Sequence, residues 1–153
     1  MTTVVRLLLV GLAALLVSLA TGCGGGADPA KYVDEMNAQQ TVLALRFAKL
    51  QSEVAPGSSA AANRQALQRF STTIHRTIAH LERLDVPDGV GDLQQELITA
   101  LKRYAAVVDG AERKFASNNP QQIDAAQAQL SDAAGSTAAA VNATIAKIND
   151  KLH

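Results

Sequence analysis

The sequence predicts an all-α protein: an up-down-up-down bundle of four antiparallel helices that follows a cleaved signal peptide. Three observations support this prediction. Apolar residues recur every three or four positions in four long stretches, which is the period of amphipathic helices. The links between the stretches are short and contain proline or glycine, which favours antiparallel neighbours. Asp28-Pro29 and Asn119-Pro120 each place a capping side chain before a proline suited to the first helical position.

The first 22 residues have the features of a secretory signal. Arg6 supplies positive charge, residues 7–20 form an uncharged apolar run, and small residues precede Cys23. The run is shorter than the roughly 20 apolar residues of a membrane-spanning helix. We therefore expect residues 1–22 to be removed, residues 23–28 to form a Gly-rich tether, and residues 29–153 to form one helical domain.

The motif Leu19-Ala20-Thr21-Gly22-Cys23 resembles the lipobox of bacterial lipoproteins. That family usually carries leucine three places before the cysteine, where this chain has Ala20. The resemblance implies a diacylglycerol thioether on Cys23, cleavage before it, and an outward-facing protein anchored to the cell membrane. The alternative is an ordinary secretory peptide that leaves Cys23 as a free thiol. A single cysteine in an exported chain forms no internal disulfide, which favours the acylated cysteine over this alternative.

The first two helices carry the clearest apolar stripes. Helix 1 is predicted to begin at Pro29. Its apolar stripe is interrupted at Gln40, which is either a buried polar residue or a solvent-facing residue at the edge of the stripe. Helix 2 is predicted over residues 59–85. The helix 1 stripe is Val33, Met36, Leu43, Phe47, Leu50 and Val54; the helix 2 stripe is Leu67, Phe70, Ile74, Ile78, Leu81 and Leu84.

The other two helices differ in how well their stripes are filled. Helix 3 is predicted to open with a capping box of Asp92 and Gln95 and to carry an exposed ion pair between Asp109 and Arg113. Helix 4 is predicted from Pro120 to Leu152. Its residues 135–140 are all small, so this segment either packs tightly or is labile. A three-helix core with helix 4 loosely docked is the alternative architecture.

Candidate functional residues are few. Arg69, Arg76 and Arg83 recur every seven residues and form a cationic ridge on helix 2, which either binds an anionic lipid, wall polymer or acidic partner, or is a solvated face. His75 and His80 lie about 140° apart around helix 2 and do not suit a metal. No catalytic motif or cofactor motif is present.

Composition narrows the function further. Removal of residues 1–22 takes away Arg6 alone among charged residues, which leaves 13 basic against 14 acidic residues and no nucleic-acid signature. An aromatic content of 3% argues against a large ligand pocket. The chain resembles small helical lipoproteins of actinobacterial type in its lipobox, its short Gly-rich tether and a helical domain rich in Ala, Arg and Asp. We expect an envelope-tethered interaction or structural module that binds an envelope protein or wall component; the alternatives are a small-ligand carrier with a cavity between helices and, less expected, an enzyme.

Overall fold

The computed structural model describes residues 27–54, 58–117 and 119–152, and all regular secondary structure in these ranges is α-helical. Four helices follow one another: α1 (Pro29–Glu53), α2 (Ala60–Leu81), α3 (Gly91–Ala116) and α4 (Pro120–Leu152). The predicted all-α, four-helix fold is confirmed. The predicted signal peptide, Cys23 and most of the tether lie outside the described residues.

Polar side chains define three of the four helix starts. The Asp28 carboxylate accepts a hydrogen bond from the Ala30 amide at 2.9 Å, and Ser59 accepts one from Ala62 at 3.2 Å. Asn119 accepts one from Gln122 at 3.2 Å. Each bond satisfies one of the amide donors that a helix start leaves unpaired.

The start of α3 differs from the prediction. The helix begins at Gly91, and the buried Val90 occupies the capping position without a side-chain hydrogen bond. The predicted capping box is therefore wrong, because Asp92 lies inside the first turn. Burial of Val90 has fixed the chain there in place of a polar cap. α2 ends at Leu81, four residues before the predicted end.

Consecutive helices run in opposite directions, as the contacts between them show. His80 and Arg69 of α2 contact Glu35 and Glu53 of α1, so a later residue of one helix meets an earlier residue of the other. The same antiparallel order holds between α2 and α3, where Ser71 forms a hydrogen bond with Asp109 and Glu82 forms an ion pair with Lys102. It also holds between α3 and α4, where Glu96 forms an ion pair with Lys147 and Lys114 forms a hydrogen bond with Gln129.

One apolar core joins the four helices. Phe70, Ile74 and Leu81, on the stripe predicted for helix 2, are all less than 4% exposed. Side chains from α3, among them Val108 and Phe115, pack in the same core, as do Ile148 of α4 and Met36 of α1. Burial of this stripe supplies the main driving force for the fold.

The bundle is not closed between its first and last helices. Close backbone packing joins α1 to α2, α2 to α3 and α3 to α4, whereas the described parts of α1 and α4 have no comparably close packing with each other. No residue of α1 between Met36 and Leu50 is buried, and none of α4 between Ala126 and Thr144. The middle of both helices therefore faces an opening.

Candidate functional site

The opening between α1 and α4 is an apolar groove with a cavity volume of about 140 Å³, which we call the α1–α4 groove. All four helices contribute to it, so it reaches from the surface to the bundle core. Its lining residues are Met36, Gln39, Gln40, Leu43, Ala44, Phe47, Phe70, Ile74, Thr77, Leu81, Leu97, Leu101, Tyr104, Ala134, Thr137, Ala138, Val141 and Ile145.

The groove is long relative to its volume. The lining residues of α1, α2 and α4 each span twelve positions, which are eleven steps along the helix: 36 to 47, 70 to 81 and 134 to 145. At 1.5 Å per residue, each span corresponds to about 16 Å along the bundle. A volume of about 140 Å³ distributed over this length describes a narrow channel and not a round cavity.

One end of the groove is aromatic. The rings of Phe47 and Phe70 lie 5.9 Å apart and tilted by 47°, and those of Phe70 and Tyr104 lie 5.9 Å apart at 73°. The first pair is tilted and the second is edge-to-face, and both centroid distances lie in the favourable range for aromatic pairs. Three of the five aromatic residues of the chain therefore meet at one site, and an aromatic-poor composition does not exclude an aromatic-lined pocket.

The opposite end is aliphatic. Met36, Leu81 and Ile145 line the groove there, and Val33 and Ile148 lie about one turn further along α1 and α4. Val33 and Ile148 are both less than 8% exposed. The buried residues beyond this end close the groove along the bundle axis, and access is lateral, between α1 and α4.

The electrostatic character of the groove is neutral. No charged side chain is among the residues that line it. Thr77 donates its hydroxyl to Oε1 of Gln39 at 3.3 Å, which pairs two of the few polar groups. Burial raises the pKa of Tyr104 well above that of a free phenol, so this side chain is neutral at physiological pH. An apolar, uncharged molecule is the ligand class that such a lining favours.

Two features of the sequence meet in this groove. Gln40, the interruption in the helix 1 stripe, is half-buried and lines it, as do Thr137 and Ala138 of the small-residue segment in α4. Small side chains there leave space and do not bring α4 against α1. The two alternatives for this segment, tight packing or lability, stay predictions, and α4 as a whole packs closely on α3. The two features taken together are the sequence signal for the groove.

The predicted cationic ridge lies only partly on α2. Arg69 and Arg76 are exposed on this helix, whereas the exposed Arg83 lies in the turn after it, because α2 ends at Leu81 and not near residue 85 as predicted. Arg69 forms an ion pair with Glu53 of α1 at 2.9 Å, whereas Arg76 and Arg83 make no ion pair within the part of the chain that the structure describes. The ridge thus presents two unpaired guanidinium groups and one that is shared with α1.

The two histidines contact different helices. His75 lies 3.1 Å from a carboxylate oxygen of Asp109 on α3, and His80 lies 2.9 Å from one of Glu35 on α1. Asp109 also accepts a hydrogen bond from Ser71. The predicted ion pair between Asp109 and Arg113 is wrong, because Asp109 bonds across the helix interface instead.

The part of the chain that the structure describes contains no cluster of three or more histidine, cysteine or acidic side chains arranged to hold a metal ion. None of the four helices combines the length and the apolar character needed to cross a membrane.

Comparison with known proteins adds no family: no protein-family model, curated protein or solved structure matches the chain.

Proposed function

We propose that this protein is a lipid-anchored, extracytoplasmic binding protein whose α1–α4 groove takes a small apolar ligand. The observation that supports binding is the groove itself, an uncharged channel lined from all four helices. The anchor rests on the resemblance of residues 19–23 to a lipobox. Cys23 would hold the protein at the membrane surface, where apolar molecules are concentrated.

The chemistry of the lining sets the ligand's polarity. Each methylene that moves from water into an apolar site contributes about 0.8 kcal/mol. A polar group that enters without a hydrogen-bond partner costs about 1–3 kcal/mol, which cancels the contribution of about one to four methylenes. With few polar atoms in the lining, the groove selects ligands whose buried part is hydrocarbon.

The volume sets the ligand's size. At about 140 Å³ the groove is close to the roughly 150 Å³ of a dry protein cavity that binds benzene, and below the roughly 300–1,000 Å³ of pockets for drug-sized ligands. The groove therefore accommodates a small molecule or the narrow part of a larger one. The lining supplies hydroxyls from Thr77, Thr137 and Tyr104 but no carboxylate, imidazole or amine that could activate them, so we propose binding and not catalysis.

A bulky substitution in the groove tests this function. Ala138 lines the groove on the exposed side of α4, so Ala138→Phe should fill it and weaken binding of the uncharged fluorophore diphenylhexatriene at least tenfold. Ala139→Phe is the matched control, since Ala139 is exposed on the same helix but is not part of the lining. Fluorescence titration of the full chain measures both. Equal affinity in the two variants would contradict a ligand site in the groove.

The second candidate is an interaction module that uses the cationic ridge. The exposed, unpaired guanidinium groups of Arg76 and Arg83 favour it, because such groups attract acidic partners. Reversal of Arg69, Arg76 and Arg83 to glutamate should then abolish salt-sensitive capture of an envelope partner while diphenylhexatriene binding is unchanged. Unchanged capture by this variant would leave the ridge as a solvated face.

A further inference from the structure

On the basis of the proposed binding function, we infer that the ligand is a single-chain amphiphile: one unbranched acyl chain lies along the α1–α4 groove, its methyl end meets the aromatic side chains, and Phe47 limits the chain length accepted. The proposal concerns the class of ligand and the residue that selects it. It commits to a single chain and not to a diacyl lipid.

The shape of the groove favours a chain over a compact ring. A narrow channel about 16 Å long matches an extended hydrocarbon, whereas a compact ring system of the same volume would fill one part of it and clash with the walls. A saturated chain advances about 1.3 Å per carbon–carbon bond, given bonds of about 1.5 Å. By length the groove accommodates an extended chain of about 12 carbons. Because its volume of about 140 Å³ is close to that of a benzene-binding cavity, such a chain is only partly enclosed and keeps one side at the lateral opening.

The width of the groove favours one chain over two. A volume of about 140 Å³ over that length does not fully enclose even one chain, so it leaves no room for two chains side by side. A second chain would have to lie outside the lateral opening, in contact with water. The polar head of the ligand also stays outside, because no charged side chain lines the groove to pair with it.

The aromatic end of the groove is also closed along the bundle axis, because Leu50 and Leu67 lie about one turn beyond Phe47 and Phe70 and are 8% and 1% exposed. The position of Phe47 gives it control of this end. Phe70 and Tyr104 are 3% and 7% exposed and belong to the core of α2 and α3, so their rings form a fixed floor. Phe47 is only half-buried, lies on α1 and contacts Phe70 with its ring. Truncation of Phe47 therefore lengthens the channel without removing the floor.

Binding of saturated fatty acids tests the inference. Isothermal titration of the full chain with acids from octanoic to palmitic, each below its micelle concentration, should give the tightest binding near dodecanoic acid and at least tenfold weaker binding of palmitic acid. Dodecanol should bind within about threefold of dodecanoic acid, since the head stays in solvent. Vesicles of diacyl phosphatidylcholine should not compete for the site.

Substitutions at the aromatic end should shift this preference in opposite directions. Phe47→Ala should move the optimum to myristic or palmitic acid. Ala134→Leu fills the same end from α4 and should move it toward decanoic acid, which keeps the test decisive if Phe47→Ala fails to fold. Leu45→Ala truncates an α1 side chain that is 67% exposed and outside the lining, and it should leave the optimum unchanged.

The outcomes separate the inference from the proposed function. Naphthalene, titrated in the same way, is the compact comparison ligand. If naphthalene binds and the acids show no dependence on length, the chain ligand is overturned and the apolar site stays intact. An optimum that neither Phe47→Ala nor Ala134→Leu moves would overturn the role of the aromatic end. If neither the acids nor naphthalene nor diphenylhexatriene bind, the proposed function fails as well.

Discussion

Tyr32 and Tyr104 are the two tyrosines of the chain, and both are buried in the bundle. Burial raises the pKa of Tyr32 to about 12 and that of Tyr104 further, because the core stabilises the neutral phenol over the phenolate. The Tyr32 hydroxyl has no hydrogen-bond partner among the described residues. No tryptophan is present to obscure the absorbance of the two phenols.

These two residues make stability fall at alkaline pH. Below pH 10, which is about the pKa of tyrosine in the unfolded chain, both phenols are neutral in the folded and the unfolded protein. As the pH rises from about 10 towards 12, the unfolded chain ionises first, so the free energy of unfolding decreases by up to about 1.4 kcal/mol per pH unit for each tyrosine.

Phenolate absorbance during alkaline titration measures the shift. The folded protein should show no transition near pH 10, and the increase should coincide with alkaline unfolding seen by circular dichroism. A resolved transition near pH 10 while the helices remain intact would show that one phenol is in contact with solvent. The variant Tyr32→Phe should retain the transition of Tyr104 alone.

At the scale of single helices, the features that could be predicted from the sequence are those that depend on neighbouring residues, namely helix caps and apolar stripes. Asp28, Asn119 and the apolar stripe through Ile74 are local signals, and the structure agrees with all three. The start of α3 was predicted incorrectly because burial of Val90, a tertiary effect, outweighed the capping preference of Asp92.

The groove required information that no single helix contains. Gln40 and the small residues at 135–140 were both identified from the sequence. Whether they line a groove depends on how α1 and α4 lie relative to each other, which the sequence does not give. The contact of Asp109 with His75 has the same origin, since it joins residues 34 positions apart. Sequence periodicity determines which face of a helix is apolar, but not which faces meet.

Gly135 offers a test of α4 at the element scale. It lies inside a helix, and a β-carbon added there would have no atom within 4 Å outside its own turn. Gly135→Ala should therefore stabilise the protein by about 0.5–1 kcal/mol through helix propensity. Chemical denaturation measures the change.

Gly89 supplies the control for this substitution. Its φ of 82° lies in the left-handed region, which an alanine adopts only with strain, so Gly89→Ala should destabilise the protein although it too has open space around it. Destabilisation by Gly135→Ala would mean that α4 approaches another surface in solution.

At the scale of the whole molecule, the order of packing follows the order of the chain. Each helix packs closely on its neighbours in sequence, and α1 and α4, the first and last, each have one close neighbour. Polar contacts reinforce this order: Lys151 near the end of α4 donates to the Gly89 carbonyl in the α2–α3 link at 3.1 Å, and Arg69 joins α2 to α1. Exposed pairs of this kind contribute at most about 1 kcal/mol each.

The proposed anchor is tested on the intact chain in cells. Cys23→Ser should prevent lipidation and move the protein from the membrane fraction to the soluble fraction, because the acyl chains supply the membrane affinity. Gly25→Ser, in the same segment, should leave the protein in the membrane fraction. Mass spectrometry of the mature N-terminus identifies the modification, and an unmodified Cys23 or a different N-terminal residue would contradict the lipoprotein assignment.

The single-sided attachment of α1 has a mechanical consequence. If the chain is held at Cys23, any pulling force between the membrane and the bundle enters through residue 28, at the start of the helix that packs closely on α2 alone. That force loads the interface between α1 and α2 before any other helix interface. Because α1 is also one wall of the groove, its displacement would widen the lateral opening while α2, α3 and α4 stay together. Tension on the tether would thus act on ligand release before it unfolds the protein.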